Sequence, residues 1–517
     1  MALVALGFAL GTDRIWEDYL ITYRSSKNLV EGNGLVFHPG EKLHTFTSPL
    51  GVLLPAFCHW VSGRSSDAVT MWCFRVLSIA ALAAAAAVAF SVLDRLRWPG
   101  WAAGLLALWL VTEAKSVDFS INGMETGFLL LFVALTVRAH FMPGLERRWM
   151  HLGLAWAGLM WTRPDGCVYV AALAGGSMAF AVCGGEKVGR MELLRMFLKA
   201  GALCTIVYLP WLVWAWWYYG TPVPHTITAK NGTMPPRSVL EILGRWTGSW
   251  APVKLNFAVT DGLFTPSGWP AGGWPMWLIL TSRVMAFVGG LCWVVKSLPP
   301  VVRALSLASG VMLVYLGYFT GTSTAAWYMP GPGWLVLLAV AGLASAMQGR
   351  RQVWLAVALG ALWCVRGAWT TVELARLSKV EQVYVEEGNR KVIGEWLKAN
   401  AQPGDTMFME CLGYLGYYSG LKTLDYPGLS SREVVDAVKE VGTQWHALIR
   451  KLKPVWVVLR PYEAARTVEA DSALLVKDYE EVKVFDVSPR VERMPVHGQG
   501  LLSFDSTFII FKRRSEP

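Results

Sequence analysis

Eleven apolar segments recur along the chain, at residues 2–16, 68–93, 98–113, 124–141, 149–163, 165–183, 200–219, 274–295, 300–320, 328–347 and 353–371. A helix needs roughly 20 mostly apolar residues to cross the hydrocarbon core of a bilayer, and a tilted barrel strand only about 10. In lipid a spanning backbone must also satisfy its own hydrogen bonds. Segments of this length therefore commit the chain to a polytopic all-α membrane bundle. Composition agrees, with 54% hydrophobic and 16% charged residues against about 25% charged in soluble domains. The net charge of +10 is what basic cytoplasmic loops produce, and it does not call for nucleic acid as a partner.

Loop charges set the orientation. With the N-terminus in the cytoplasm, the inside connections hold Arg95, Arg97, Arg138, Arg147, Arg148, Lys187, Arg190, Arg195, Lys199, Lys296, Arg303, Arg350 and Arg351. The short outside connections hold only Lys115 and Arg163, so the positive-inside rule favours this topology. Eleven spans then place the C-terminus outside, in a cell (plasma or inner) membrane. Met1 to Gly11 lacks the positive n-region and cleavage pattern of a signal peptide. The eight cysteines have no metal-ligand spacing and lie mostly in apolar segments, so no disulfide framework is expected.

Residues 1–372 read as the membrane module and 373–517 as a small extracytoplasmic α/β domain. Two external loops belong to the first, at 17–67 and 220–273. The 17–67 loop begins as a helix, breaks at Gly32-Asn33-Gly34 and Pro39-Gly40, and resumes as an interfacial stretch from Ser48 to Trp60. In the tail, a helix is expected near Glu386–Asn400, with β-type runs at Thr406–Met409, Val455–Leu459, Val482–Val487 and Thr507–Phe511.

Glu17 and Asp18 follow Trp16 at the outer end of the first span. Carboxylates beside hydrocarbon are costly unless they cap, pair or act. Asp18 could cap a helix starting at Tyr19. Neighbouring helical residues do not face one site equally, so one acid should act while the other orients or stays solvated. Arg24, six residues on in the same helix, can neutralise an anionic group.

The stretch Glu17-Asp-Tyr-Leu-Ile-Thr-Tyr-Arg24, followed by Asn28-Leu29, Glu31-Gly-Asn-Gly-Leu-Val-Phe37, Pro39-Gly-Glu41 and Thr47-Ser-Pro-Leu50, resembles the first external loop of GT-C membrane glycosyltransferases. It is similar to the branch of mycobacterial terminal arabinofuranosyltransferases and, more distantly, to the protein mannosyltransferase and lipid A aminoarabinose transferase families. Further similar motifs are Gly123-Met-Glu-Thr126, Thr162-Arg-Pro-Asp-Gly166, Tyr219-Gly-Thr-Pro-Val-Pro224 with Ala229-Lys230, and Trp327-Tyr-Met-Pro330. The tail adds Pro403-Gly-Asp405, Gly413-Tyr-Leu-Gly-Tyr-Tyr418 and Asp425-Tyr-Pro-Gly-Leu429. Members of that branch more often carry Asp-Asp where this chain has Glu17-Asp18, which leaves open which acid is catalytic.

The resemblance implies inverting transfer of a hexose or pentose from a polyprenyl-phosphate donor to a hydroxyl of an envelope glycan, lipid or protein. An attacking hydroxyl needs a general base, and Asp18 holds the position similar to the essential acid of that family. A phosphate leaving group needs cations, which Arg24, Arg163 and Lys230 can supply. Asp165 can cap the helix after Pro164 or form an interfacial turn with Arg163. Glu125 can act or simply sit favourably at a helix N-terminus. His225 and Tyr328 can bind phosphate or sugar, with a plain loop residue and an aromatic-belt ring as the competing readings. Asp18, Glu125 and His225 are conceivable ligands for a divalent cation (Mg, Mn or Ca). The alternative function is a transporter or flippase, which would call for internal repeats and polar groups at mid-bilayer; here the polar residues gather at one rim.

Overall fold

The computed structural model describes residues 1–231, 259–267, 272–319 and 325–514; most of the expected 220–273 loop lies outside them. A helix occupies each of the eleven apolar segments: α1 (Ala2–Thr12), α4 (Asp67–Arg95), α5 (Gly100–Val111), α7 (Thr126–Phe141), α8 (Arg148–Thr162), α9 (Gly166–Phe180), α10 (Arg190–Tyr219), α12 (Met276–Leu291), α13 (Pro300–Phe319), α14 (Pro330–Ser345) and α15 (Arg350–Val380). Between them lie α2 (Glu17–Val30), α3 (Pro49–Val61), α6 (Ala114–Ile121) and α11 (His225–Asn231). By length and apolar composition alone, five helices among the described residues qualify as membrane-crossing: Asp67–Arg95, Arg190–Tyr219, Met276–Val294, Pro300–Gly317 and Arg350–Asn400.

Small residues let the helices approach closely, as they do in lipid-embedded bundles. A Cβ on Gly127 of α7 would stand 2.5 Å from the Ser78 carbonyl of α4, and one on Gly176 of α9 the same distance from the Ala304 carbonyl of α13. Arginines inside the bundle are hydrogen-bonded: Arg283 Nε and Nη2 reach Asp261 at 2.6 and 2.7 Å. Arg366 donates to the Leu278 carbonyl at 2.9 Å and to Thr281 at 2.8 Å.

The basic connections gather at one end. Leu96, Pro143 and Phe141 surround Gly185 in the hairpin of β1 (Val182–Cys183) and β2 (Glu186–Lys187), and Arg303 lies over Phe180. Connections at the opposite end carry Glu17, Asp18, Glu125, Arg163, Lys230 and Tyr328.

The tail departs from expectation at its root. Helix α15 continues without a break through wider turns over Glu381–Lys391 into α16 (Val392–Asn400). A division at 372/373 would cut this rod, and the helix expected at Glu386–Asn400 is its far end. Beyond it, β3 (Thr406–Met409), β4 (Lys422–Asp425), β5 (Trp456–Leu459), β6 (Tyr479–Asp486) and β7 (Thr507–Arg513) form one sheet in the order β4-β3-β5-β7-β6. The β4–β3 and β3–β5 pairs are parallel, while β5–β7 and β7–β6 are antiparallel. Helix α17 (Leu412–Ser419), between β3 and β4, packs on α2. Its Tyr414 and Tyr417 join Tyr19 and Tyr23, and Tyr417 donates to Asp67 at 2.7 Å.

Candidate functional site

Helix α2 opens directly after Trp16, whose amide donates to the Asn122 carbonyl at 2.8 Å. Trp16, not Asp18, is the N-cap, and no side chain caps this end. The capping reading of Asp18 is therefore replaced: its carboxylate sits in the first helical turn, where the helix dipole favours negative charge. The two acids diverge by the roughly 100° that separates neighbours on a helix. Glu17 reaches into the tail, accepting from the Gly413 amide at 3.1 Å and Arg390 at 3.2 Å. Burial pushes the Glu17 carboxyl up, against the pull of Arg390.

Asp18 faces the other way, into a cavity of about 90 Å³ that it lines with Glu125, Arg163, Lys230, Trp327 and Tyr328. The α2 start, the segment before α3, the turn before α7, the α8–α9 turn, α11, the segment before α14 and Leu429 of the tail meet here. Arg163 anchors the wall. It donates to Glu125 at 3.2 Å and to Asp165 at 2.9 Å, and its guanidinium stacks 4.2 Å from the Tyr328 ring centre. Asp165 stands at the N-cap of α9 but makes no side-chain cap, because its carboxylate is turned to Arg163. Ser48 caps α3 by accepting from the Gly51 amide at 2.8 Å. A side chain at 51 would crowd Ser48 Oγ at 2.7 Å and Ser48 Cβ at 2.9 Å. Gly123 turns at φ +100° against the Tyr19 ring, which brings Glu125 to the cavity.

Burial pushes the Asp18 carboxyl above its ordinary range, while Lys230 and then Arg163 pull it down. Among the described residues, no ion pair or hydrogen bond to the Asp18 carboxylate is found.

Two expected site residues lie elsewhere. Arg24, six residues and about 240° around the helix from Asp18, turns to the tail. Its guanidinium donates to the Gly416 carbonyl and stacks 4.5 Å from the Phe37 ring centre, and burial lowers its pKa to about 10. His225 faces the backbone of Gly428 and Ser431, and burial lowers its pKa. The suggested metal set of Asp18, Glu125 and His225 is therefore not assembled, and Glu125 is held by Arg163. Among the described residues, no group of three or more His, Cys, Asp or Glu is placed to hold a metal.

Arg14, Lys115 and Asp118 were not singled out by sequence reasoning, yet all three are buried beside Trp16. The signal was available: Glu113 to Asp118 is a polar run between two apolar segments.

A family model described as a domain of unknown function (DUF8728) matches residues 378–505, the end of the long helix and most of the tail. The terminal β-(1→2)-arabinofuranosyltransferase of Mycobacterium tuberculosis is 28% identical over 333 residues, covering 60% of this chain and 49% of the relative. The protein of the same name in Corynebacterium glutamicum is 25% identical over 255 residues, covering 44% and 34%. The matched region thus spans about half or less of the length of these curated relatives. The crystal structure of ArnT from Cupriavidus metallidurans bound to undecaprenyl phosphate superposes with a TM-score of 0.53 at 12% identity, covering 99% of this chain and 96% of that one. This chain has the GT-C fold. Homology to terminal arabinofuranosyltransferases and the fold of ArnT are reached independently, one through sequence and the other through backbone. Within the GT-C fold, the Asp18 cavity belongs to the end of the bundle that carries α2, α3 and the tail.

Proposed function

We propose that this chain is an integral membrane glycosyltransferase moving a sugar, pentose or hexose, from a polyprenyl-phosphate donor to a hydroxyl of an envelope glycan, lipid or protein. The observation that carries the reading is the Asp18 cavity, where the Asp18 carboxylate shares one small space with an anchored guanidinium and a lysine at the rim of a GT-C bundle. The curated relatives named as arabinofuranosyltransferases and the ArnT structure bound to undecaprenyl phosphate support the donor class.

On this reading Asp18 takes the proton of the acceptor hydroxyl, and that oxygen bonds to the anomeric carbon. The carbon–oxygen bond to phosphate breaks with its electron pair leaving on the phosphate, so the centre inverts. Arg163 and Lys230 offset the charge that develops there. Glu125 and Asp165 hold the Arg163 fork in place, and Tyr328 covers its face. The small cavity takes the phosphate and the reacting carbon, with the prenyl chain in lipid. Basic connections gathered at the other end support an extracytoplasmic reaction and tail.

The test is product formation by the purified full chain in lipid nanodiscs with a panel of polyprenyl-phosphate pentoses and hexoses and a neutral oligosaccharide acceptor. The expected result is lengthening of the acceptor by one sugar with one donor class. The same chain in sealed vesicles that moves labelled donor across the bilayer, while no panel member yields product, would contradict the transferase and support the transporter.

A further inference from the structure

A second cavity of about 320 Å³ lies behind Trp16, and the Asp18 chemistry does not use it. Arg14 and Trp16 come from the linker before α2, Lys115 and Asp118 from α6, Glu381 from the long helix and Asp505 from the tail. Trp16 also meets Trp327, with ring centres 5.7 Å apart, and Trp327 lines the Asp18 cavity. The two spaces therefore share an aromatic wall, two residues from Asp18.

The polar groups are built and incompletely used. Arg14 and Asp118 are 6% and 2% exposed. Arg14 pairs with Asp118 Oδ2 at 3.4 Å and with Glu381 at 2.8 Å. The other Asp118 oxygen, Oδ1, is buried without a partner among the described residues, and so is the Trp16 indole N–H. Buried polar atoms are almost always satisfied, so an unmatched acceptor on Asp118 and an unmatched donor on Trp16, both residues of this lining, call for a ligand carrying both functions.

Charge narrows its chemistry. Two cations, Arg14 and Lys115, stand against two carboxylates, Asp118 and Glu381; Asp505 is held by Arg390 and Arg460, and Lys115 already donates to the Gly262 carbonyl. That balance offers a phosphate no net positive charge and accepts a neutral polyol. A sugar also presents a C–H face suited to the Trp16 and Phe119 rings, whose centres are 5.4 Å apart. The volume falls in the range of small-ligand pockets, roughly 300–1,000 Å³.

We propose that this cavity binds a neutral sugar unit of the acceptor and presents its hydroxyl past Trp16 to Asp18. The acceptor role rests on the transferase reading; the sugar site itself does not. The donor phosphate then lies on the Arg163 side of the aromatic wall and the acceptor on the Arg14 side.

Binding of an arabinofuranosyl disaccharide and a mannosyl disaccharide to the full chain in nanodiscs, without donor, tests the site by saturation-transfer NMR. Asp118→Asn removes one carboxylate charge at constant volume. Leu501→Trp fills the cavity from the tail side and keeps the test open if the first variant fails to fold. Each is expected to weaken binding about tenfold or more and to raise the acceptor KM equally, with the donor KM unmoved. Unchanged binding in both variants, a rise confined to the donor KM, or displacement of the sugar by inorganic phosphate would overturn the proposal. A wild type that binds the disaccharide through Asp118 yet transfers nothing upholds the sugar site and overturns the transferase reading instead.

Discussion

Gly413 fixes how the tail meets the helix that carries Asp18, and Gly413→Ala should loosen that junction. A Cβ at 413 would stand 2.3 Å from both Cγ and the carbonyl oxygen of Glu17, where ordinary contact begins at 3.4 Å. Helices α17 and α2 would have to separate by about 1 Å. The bond from the Gly413 amide to Glu17, now 3.1 Å, would open to about 4 Å and cease to be a hydrogen bond. Overpacking of this kind costs roughly 1–3 kcal/mol, and a lost bond to a charged acceptor roughly 1.5–3 kcal/mol. Even the lower sum, about 2.5 kcal/mol, raises the undocked population about 60-fold. Hydrogen–deuterium exchange on the purified chain reads this directly in peptides covering 17–30 and 412–419. Both should exchange tens of times faster, and sugar transfer should fall because Asp18 follows Glu17. Gly201→Ala in α10, where a Cβ meets nothing within 4 Å, is the control and should change neither. Wild-type exchange and full transfer in Gly413→Ala would refute the argument.

Other perturbations separate base, cation and scaffold. Lys230 exerts the largest downward pull on the Asp18 carboxyl, ahead of Arg163. Lys230→Met should therefore raise that pKa further, so that the deprotonated base is lost at a higher pH and the acid limb of the kcat/KM profile moves up. An unmoved acid limb would argue against Asp18 as the titrating base. Inside the bundle, Arg283→Met leaves Asp261 buried without its clasping guanidinium. That should lower stability by about 3–5 kcal/mol, read by thermal unfolding in detergent. Arg283→Met with Asp261→Leu should recover most of the loss.

The parts of this architecture set by local physics are legible in the sequence. Apolar length marks each of the eleven helical segments, and the loop charges mark one end of the bundle as basic. The residues of the Asp18 cavity are each visible as a polar group at a segment boundary, although their convergence is not. What escapes is what depends on contacts across hundreds of residues. Arg24 and His225 sit in loops that read as facing a substrate, yet both turn to a tail that periodicity cannot dock. Strand β4, Lys-Thr-Leu-Asp at 422–425, is four residues long and mixes charge with one apolar side chain, so it carries no pattern of its own. The break expected after residue 372 follows the drop in hydropathy. The backbone ignores that drop because α15, the wider turns after it and α16 bury Leu374, Leu377, Val385, Ile393 and Leu397 against the bundle core and the tail. Arg14 and Asp118 become meaningful only once α1, α6 and the long helix are seen together.

Asp18 and Glu17 are adjacent and equally acidic in the sequence, yet Glu17 is bound to the tail while Asp18 lines the cavity. Transfer of sugar from the preferred polyprenyl-phosphate donor by Asp18→Asn and Glu17→Gln, measured side by side at saturating substrates, tests the central assignment most directly. With Asp18 as the general base, Asp18→Asn should lose about 10²–10⁴ in kcat, whereas Glu17→Gln should retain most of its turnover and show its effect in tail docking. Equal turnover by Asp18→Asn and wild type, or a collapse confined to Glu17→Gln, would contradict it.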